Sequence, residues 1–269
     1  MIIYIKDHNN MKKLRYIFCL VQQRHTNAYK EFDDVGVSDW EYNVCFIKDY
    51  LSLKVRKLGI ETPFFNLLSV SPRNIEKGYI DNDEYLQLVK VFTPFSNDEM
   101  LALINTKDFK TRIEMYLSVL ERGYRIASEY YDIQIDKLLE LHRQFREGGY
   151  KHEWLFKKKP IKEYGIYVFF NCYFTTIDFR LELEVYDIKK TQLFTKGIVL
   201  RTAPDRIFFG KEFNKGIEID NDKMYLLDFL EKRAFEFDLD KLSKGEFNVI
   251  QLSEVRDYTE IIDRINWLK

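Results

Sequence analysis

The chain has 269 residues, of which 46% are hydrophobic, so it holds enough apolar material for one large domain or two small ones. Its 42 basic and 43 acidic residues nearly cancel, which argues against long disordered regions and against a general affinity for polyanions. No apolar stretch approaches the roughly 20 residues that span a bilayer. The three cysteines (Cys19, Cys45 and Cys172) are too scattered for a disulfide framework or a zinc site. We therefore expect a cytoplasmic protein without cofactor, metal or membrane contact.

The first half of the chain, residues 1–149, is predicted to be mainly helical. It opens with a predicted strand over 14–22, which we place provisionally in the sheet of the second half. The apolar residues from Trp40 to Leu58 recur every three or four positions and predict a helix that begins at Ser38 and ends at Gly59. The same spacing predicts helices over 108–131 and 134–147. Shorter helices are predicted over 81–92, ended by Pro94, and over 96–105, where Ser96 and Glu99 are spaced as a capping box.

The second half, residues 150–269, changes to a period of two. The stretch "IDFRLELEVYD" alternates apolar and polar residues, which is typical of a strand in an antiparallel sheet with one wet face. Further strands are predicted over 164–174, 193–202, 206–210, 216–219 and 246–252, and helices over 222–237 and 254–267. Runs of helices followed by runs of strands predict an α+β fold: a mostly helical N-terminal half, and a C-terminal antiparallel sheet with flanking helices. The two halves could also form one continuous domain.

The polar side of "IDFRLELEVYD" is the first candidate binding site. An ordinary solvated sheet face explains such residues, but carboxylates held about 7 Å apart on a rigid strand also give a dense negative potential suited to a basic protein partner. Tyr173 lies on the preceding predicted strand and would add an aromatic anchor. The predicted partner-binding residues are Asp178, Arg180, Glu182, Glu184 and Tyr186.

The stretch "KHEWLFKKKP" is the second candidate, predicted as a basic loop that links the two halves. Trp154 could stack on a base, and the run Lys157, Lys158 and Lys159 could hold phosphates, so nucleic-acid binding through 151–162 is an alternative function. The plainer interpretation is a solvated loop whose lysines protect a sheet edge. We include these four residues among the partner-binding candidates.

A metal-dependent nuclease or other hydrolase is the enzymatic alternative. Asp187 and Lys189 form the acid-x-lysine pattern that PD-(D/E)xK nucleases use, and Asp178 is an upstream acid, although roughly 30 Å of extended strand would separate the two aspartates. Glu153 or Glu163 would have to complete such a site from a neighbouring segment. The pattern is too short to assign a family, and the spacing of His142 and His152 matches no rigid zinc motif.

These observations favour a non-enzymatic, protein-binding protein. The Lys-, Ile-, Tyr-, Phe- and Asn-rich composition suggests a bacterial or phage origin, and neutralising a toxin or defence effector, as immunity proteins and antitoxins do, is the specific hypothesis for its function.

Overall fold

A computed structural model describes residues 11–20, 34–202, 216–228 and 231–252. The chain divides into two compact units, residues 1–150 and 151–269, which we call the first and second unit. Within the described ranges, no helix is long and apolar enough to cross a membrane.

The predicted α+β arrangement with a helical N-terminal half is wrong. Among the residues that the structure describes, strand residues (41%) outnumber helical residues (32%), the strands form four sheets, and the helices are scattered along the chain. The strands of the first unit are β1 (Lys12–Lys13), β2 (Tyr16–Cys19), β3 (Glu61–Thr62), β4 (Leu67–Arg73), β5 (Tyr79–Asp83) and β6 (Leu88–Pro94). Its helices are α1 (Asp34–Leu58), α2 (Asn97–Asn105), α3 (Phe109–Ser128) and α4 (Ile135–Glu147).

A mixed sheet forms the centre of the first unit, in the order β2-β4-β6-β5. Strands β2, β4 and β6 are parallel, and β5 pairs antiparallel with β6 as a hairpin. The N-terminal strand therefore pairs with β4 and not with a sheet of the second half. The helix predicted over 81–92 is this hairpin, because its run of apolar residues is buried from both faces and so has no helical stripe.

Helix α3 packs directly on the mixed sheet. Gly123 lies where the helix meets Val70 of β4, and its lack of a side chain allows the close approach. The hydroxyl of Tyr116 accepts a hydrogen bond of 3.0 Å from the backbone N–H of Cys19 in β2. Helices α1 and α4 meet through aromatic rings, with the centroids of Tyr50 and Phe145 4.5 Å apart. Within the described residues, most of the apolar stripe residues that predict these helices are buried as expected, whereas Phe109 at the start of α3 is exposed.

Antiparallel sheets make up the second unit. Its first sheet joins β7 (His152–Ile161), β8 (Ile166–Phe174), β9 (Phe179–Asp187) and β10 (Leu193–Thr202) in the order β10-β9-β8-β7. Its second sheet joins β11 (Gly216–Asp220), β12 (Lys223–Leu227), β13 (Arg233–Asp238) and β14 (Ile250–Gln251) in sequence order. The sheets contact each other through Phe170 and Phe237, whose ring centroids are 5.7 Å apart.

Two further elements of the second unit differ from the prediction. The helix predicted over 222–237 is the pair β12 and β13, and a short helix, α5 (Leu239–Ser243), follows them. The predicted loop 151–162 is mostly strand β7. The helix predicted over 254–267 and the strand over 206–210 lie outside the described residues.

Candidate functional site

The outer face of sheet β7–β10, the face turned away from the unit's core, carries most of the predicted binding residues. Strand β8 alternates strictly: Ile166, Val168, Phe170, Cys172 and Phe174 are buried, whereas the residues between them are partly exposed. Cross-strand register places Glu182 beside Asn171 and Tyr186 beside Tyr167 on that outer face. Side chains that face each other across an antiparallel pair lie on the same side of the sheet.

The carboxylates of this outer face are paired with cations from the same sheet. Oδ2 of Asp178 lies 2.6 Å from Nε of Arg201. Nζ of Lys196 lies 2.6 Å from Oε2 of Glu182 and 3.1 Å from Oε1 of Glu184. These pairs raise the pKa of the Lys196 ammonium, with the hydrogen bond to Glu182 as the largest cause. Because each acid has an internal counter-ion, the face does not present the bare negative potential that the sequence suggests.

Aromatic rings are the distinctive feature of the same face. We call Tyr167, Phe169, Tyr173 and Tyr186 together the aromatic face. The rings of Tyr167 and Phe169 stack with centroids 4.8 Å apart, and Phe169 meets Tyr186 edge-on at 5.5 Å. All four side chains are partly exposed. An ordinary wet sheet face carries polar and charged residues, so four large rings there, three of them in mutual contact, need another explanation.

Cations cover the ring faces at both ends of the aromatic face. Lys190 lies 4.1 Å from the ring centroid of Tyr167. Arg180 and Lys196 lie 5.4 and 5.5 Å from the ring centroid of Tyr173. Cation–π contacts of this kind occupy ring surfaces on which a nucleobase would stack.

The remaining predicted residues lie on different faces of β7. Trp154 stands opposite Cys172 and belongs to the core side, where its ring is 6.0 Å from that of Phe179. Beyond a bulge, Lys157 stands opposite the buried Phe170, and Lys159 donates a hydrogen bond of 3.0 Å to the backbone carbonyl of Ile217 in β11. Lys158 stands opposite Phe169 on the outer face. The lysine run is therefore divided between the two sides of an edge strand and does not form one phosphate-binding patch.

Sequence reasoning missed Tyr167 and Phe169, although a signal was present. The stretch "IYVFFNCYF" looks almost uniformly apolar, but its alternate residues point to opposite sides of the sheet. Its aliphatic and sulfur-containing residues all point to one side, and the other side carries Tyr167, Phe169, Asn171 and Tyr173. Tyrosine on one parity of a strand marks the side where its hydroxyl reaches water. An aromatic residue on a strand can therefore belong to the outer face as well as to the core.

The carboxylates proposed for a nuclease site do not converge. Asp178 precedes β9 and Asp187 ends it, so they are separated by the length of the strand, roughly 30 Å. Both oxygens of Asp187 accept hydrogen bonds within the turn that follows, from the backbone N–H groups of Lys189, Thr191 and Gln192. Within the described part of the chain, no group of three histidine, cysteine or acidic residues could hold a metal ion. The nuclease alternative thus has no geometric support there.

His142 belongs to a buried polar network between α3 and α4. Its Nδ1 lies 2.9 Å from Oε1 of Glu121, and its Nε2 lies 3.2 Å from the hydroxyl of Tyr124. Arg146 extends the network, because its guanidinium lies 3.0 Å from Glu121 and 2.9 Å from Glu114. A neutral imidazole satisfies both contacts, with Nδ1–H donating to the carboxylate and Nε2 accepting from the hydroxyl. The fully buried His142 therefore ties α3 and α4 together.

This network predicts that the first unit loses stability as pH falls below about 6.5. Burial lowers the pKa of His142 from its ordinary value of 6.5, and the hydrogen bond to Glu121 only partly opposes this shift. Below pH 6.5 the unfolded chain therefore takes up a proton that the folded chain does not, so the free energy of unfolding falls by up to about 1.4 kcal/mol per pH unit. The glutamates lose their contributions only at lower pH, because the pKa of Glu121 is itself lowered by its hydrogen bond to His142.

Urea denaturation at half-unit steps from pH 7 to pH 5 measures this slope. His142→Gln is the matched variant, because an amide can donate to Glu121 and accept from Tyr124 without titrating. We expect the variant to flatten the curve in that window. An unchanged slope would show that another group is responsible.

An open groove of about 500 Å³ lies between α2 and α3. Its charged residues are mostly engaged within the fold: Arg122 pairs with Glu99 at 2.7 Å, and Glu114 pairs with Arg146. The groove therefore offers a ligand no converging set of free polar groups, and the outer face of sheet β7–β10 remains the stronger candidate.

Comparison of the chain with protein-family models, with curated proteins and with solved structures finds no match.

Proposed function

We propose that this chain is a non-enzymatic protein-binding protein that contacts its partner through the aromatic face. The observation that carries the proposal is the set of four rings on the side of the sheet away from the core, of which Tyr167, Phe169 and Tyr186 contact one another in a row across β8 and β9. Tyrosine and phenylalanine are enriched at the centres of protein interfaces, where they bury large areas at small entropic cost.

Apolar side chains border the aromatic face and would extend the contact. Leu155 of β7 and Ile198 of β10 are both exposed. In the strand register, Leu155 stands opposite Asn171 of β8, and Ile198 stands opposite Glu182 of β9. The result is a mixed surface with apolar margins and paired charges in its middle. Such surfaces fit protein partners, which supply both apolar groups and hydrogen-bonding groups.

The internal pairing of the carboxylates changes the surface charge that we expect of the partner. Glu182 and Glu184 share Lys196, and Asp178 is held by Arg201, so a partner gains little from carrying a matching basic surface here. We therefore base recognition on the rings and treat the charged residues as their support. That the partner is a toxin or defence effector stays a prediction, and the identity of the bound protein tests it.

Protein binding is favoured over nucleic-acid binding for this face. Single-stranded nucleic acid would require ring surfaces free for stacking, and those of Tyr167 and Tyr173 are covered by cations. The separate proposal of a basic loop at 151–162 loses its basis because its lysines lie on both sides of β7.

The double variant Tyr167→Ser/Phe169→Ser tests the proposal. We expect it to weaken binding of the partner by at least about thirtyfold, the effect of losing one interface hot spot. The tagged full-length chain would be purified from its native cell, its bound protein identified, and the affinity of the purified pair measured by calorimetry.

Ile177→Ser is the matched control, because Ile177 is exposed in the turn between β8 and β9 and is not part of the aromatic face. It should bind like the unaltered chain. Circular dichroism must show that all variants are folded, since each lost cross-strand ring contact costs up to about 1 kcal/mol. Equal binding by the double variant and the control would contradict the proposal.

A further inference from the structure

The turn of the β5–β6 hairpin presents two apolar side chains that the fold does not use. We call residues 83–87 the hairpin tip. Tyr85 is 94% exposed and Leu86 is 57% exposed. Turns of this kind ordinarily carry glycine, proline, asparagine, aspartate or serine, which suit both the backbone and water. A tyrosine followed by a leucine at the most exposed point of a hairpin therefore calls for a reason outside the fold.

Hydrogen bonds hold the hairpin tip in one conformation. Oδ1 of Asp83 accepts from the backbone N–H of Leu86 at 2.9 Å, and the N–H of Gln87 donates to the carbonyl of Glu84 at 3.2 Å. The carbonyl of Gln87 accepts from the backbone N–H groups of Asn66 and Leu67, and its side-chain oxygen accepts from Nδ2 of Asn66 at 2.7 Å. The two apolar side chains are thus presented on a fixed backbone, which lowers the entropic cost of binding.

The charge around the hairpin tip is negative. Asp83 and Glu84 belong to the tip, Asp81 precedes it on β5, and the stretch 81–87 contains no basic residue. Lys90 stands opposite Asp81 in the hairpin, further from the turn. An approaching anionic membrane or nucleic acid would be repelled, whereas a basic protein surface would be attracted.

We infer that the hairpin tip inserts Tyr85 and Leu86 into an apolar pocket of a partner protein, and that lysine or arginine side chains rim this pocket. Tyrosine is among the residues that most often anchor interfaces, and the carboxylates beside it would pair with the rim. The hairpin tip belongs to the first unit and the aromatic face to the second, so this inference does not rest on the proposed function.

A photo-crosslinking phenylalanine at position 85 of the full-length chain tests the inference in the native cell. We expect a crosslinked protein, identified by mass spectrometry, whose crosslinked peptide lies in an apolar site flanked by lysine or arginine. The crosslink should persist in the Tyr167→Ser/Phe169→Ser background, which separates the outcome from that of the proposed function.

The affinity of the purified pair gives the second measurement. Tyr85→Ser should weaken binding about thirtyfold, and Glu84→Lys about tenfold with a shallower dependence on salt. Leu101→Ser and Glu76→Lys are the controls, because both positions are exposed in the first unit and lie outside the hairpin tip. Both controls should bind normally, and all four variants should keep the thermal midpoint of the unaltered chain.

Other outcomes overturn the inference. These are the absence of a crosslinked product, crosslinking only to lipid, to nucleic acid or to a second copy of the chain, and a partner whose affinity is the same for Tyr85→Ser and Leu101→Ser.

Discussion

Gly123→Val should lower the free energy of unfolding of the first unit by about 3 kcal/mol. A Cβ added at position 123 would lie 2.4 Å from Cγ2 and 2.6 Å from Cγ1 of Val70, closer than packed carbon atoms can approach. Valine adds two further methyl groups, so α3 would have to move off the sheet. In an exposed helix the same change would be mildly stabilising, since glycine is the poorer helix former. Denaturant unfolding monitored by helical circular dichroism measures the loss.

Coupling between Gly123 and Val70 distinguishes this close approach from a general effect on the helix. Val70→Ala alone leaves a cavity under α3, and Gly123→Ala alone creates the clash. In the double variant the new methyl group occupies space that the valine has vacated. We therefore expect the double variant to be more stable than the sum of the single losses by at least about 1 kcal/mol. Additive losses would show that the two residues do not meet.

Gly123 also shows how the sequence predicts helices well but not their packing. The apolar stripe of α3 identifies the helix and its buried side, because a period of 3.6 residues is a local property. Read locally, a glycine inside that stripe indicates only a loss of helix propensity. Its function depends on β4, about fifty residues earlier in the chain, and no local pattern contains that information.

The two hairpins that were predicted as helices show where the local pattern fails to identify even the type of secondary structure. In the segment over 81–92 the apolar residues Leu88, Val89 and Val91 are all buried, so both parities are apolar and the period of two is hidden. In the segment over 222–237 apolar residues fall by chance at helical spacing, whereas the structure forms two paired strands, and three consecutive residues of β12 and two of β13 are buried. Short buried strands are ambiguous by periodicity alone, and tertiary pairing decides between the two structures.

The candidate site likewise has one property that could be predicted from the sequence and one that could not. The outer-face position of Arg180, Glu182, Glu184 and Tyr186 follows from the alternation of a single strand and could be predicted. Their electrostatic state could not, because Lys196 comes from β10 and its place beside Glu182 depends on strand register and two bulges. The sequence therefore indicates where the charges lie, but not that they neutralise one another.

This pairing changes how the face should be tested. Charge reversal at Glu182 would place a lysine beside Lys196 and Arg180 at a position where the whole residue is only 6% exposed. Such a variant would lose partner binding by unfolding, whether or not the partner is basic. Serine substitutions at Tyr167 and Phe169 avoid this problem, because neither ring neutralises a buried charge.

Lys196→Met should lower the free energy of unfolding of the second unit by about 2–3 kcal/mol. The change removes the ammonium that bridges Glu182 and Glu184 and leaves the carboxylate of Glu182 buried with Arg180 at 3.3 Å as its remaining counter-ion. We expect a smaller loss in the free energy of unfolding than for a fully buried ion pair, because the side chain of Lys196 is itself 43% exposed and partly screened by water. Urea unfolding of this variant and of the unaltered chain at neutral pH measures it.

Two controls separate buried-charge pairing from a general effect of removing a lysine. Lys190→Met deletes a cation that covers the ring of Tyr167 but neutralises no buried acid, so it should cost less than about 1 kcal/mol. Adding Glu182→Gln to Lys196→Met removes the unpaired charge and should recover most of the lost stability, since a neutral amide tolerates burial better than a carboxylate.

Equal losses for the two lysine variants, with no recovery in the double variant, would show that the outer face does not depend on its internal ion pairs. Recovery would mean that the single variant loses stability through an unpaired buried carboxylate. The charges of this face are then engaged with one another, which leaves the rings as the groups available to a partner.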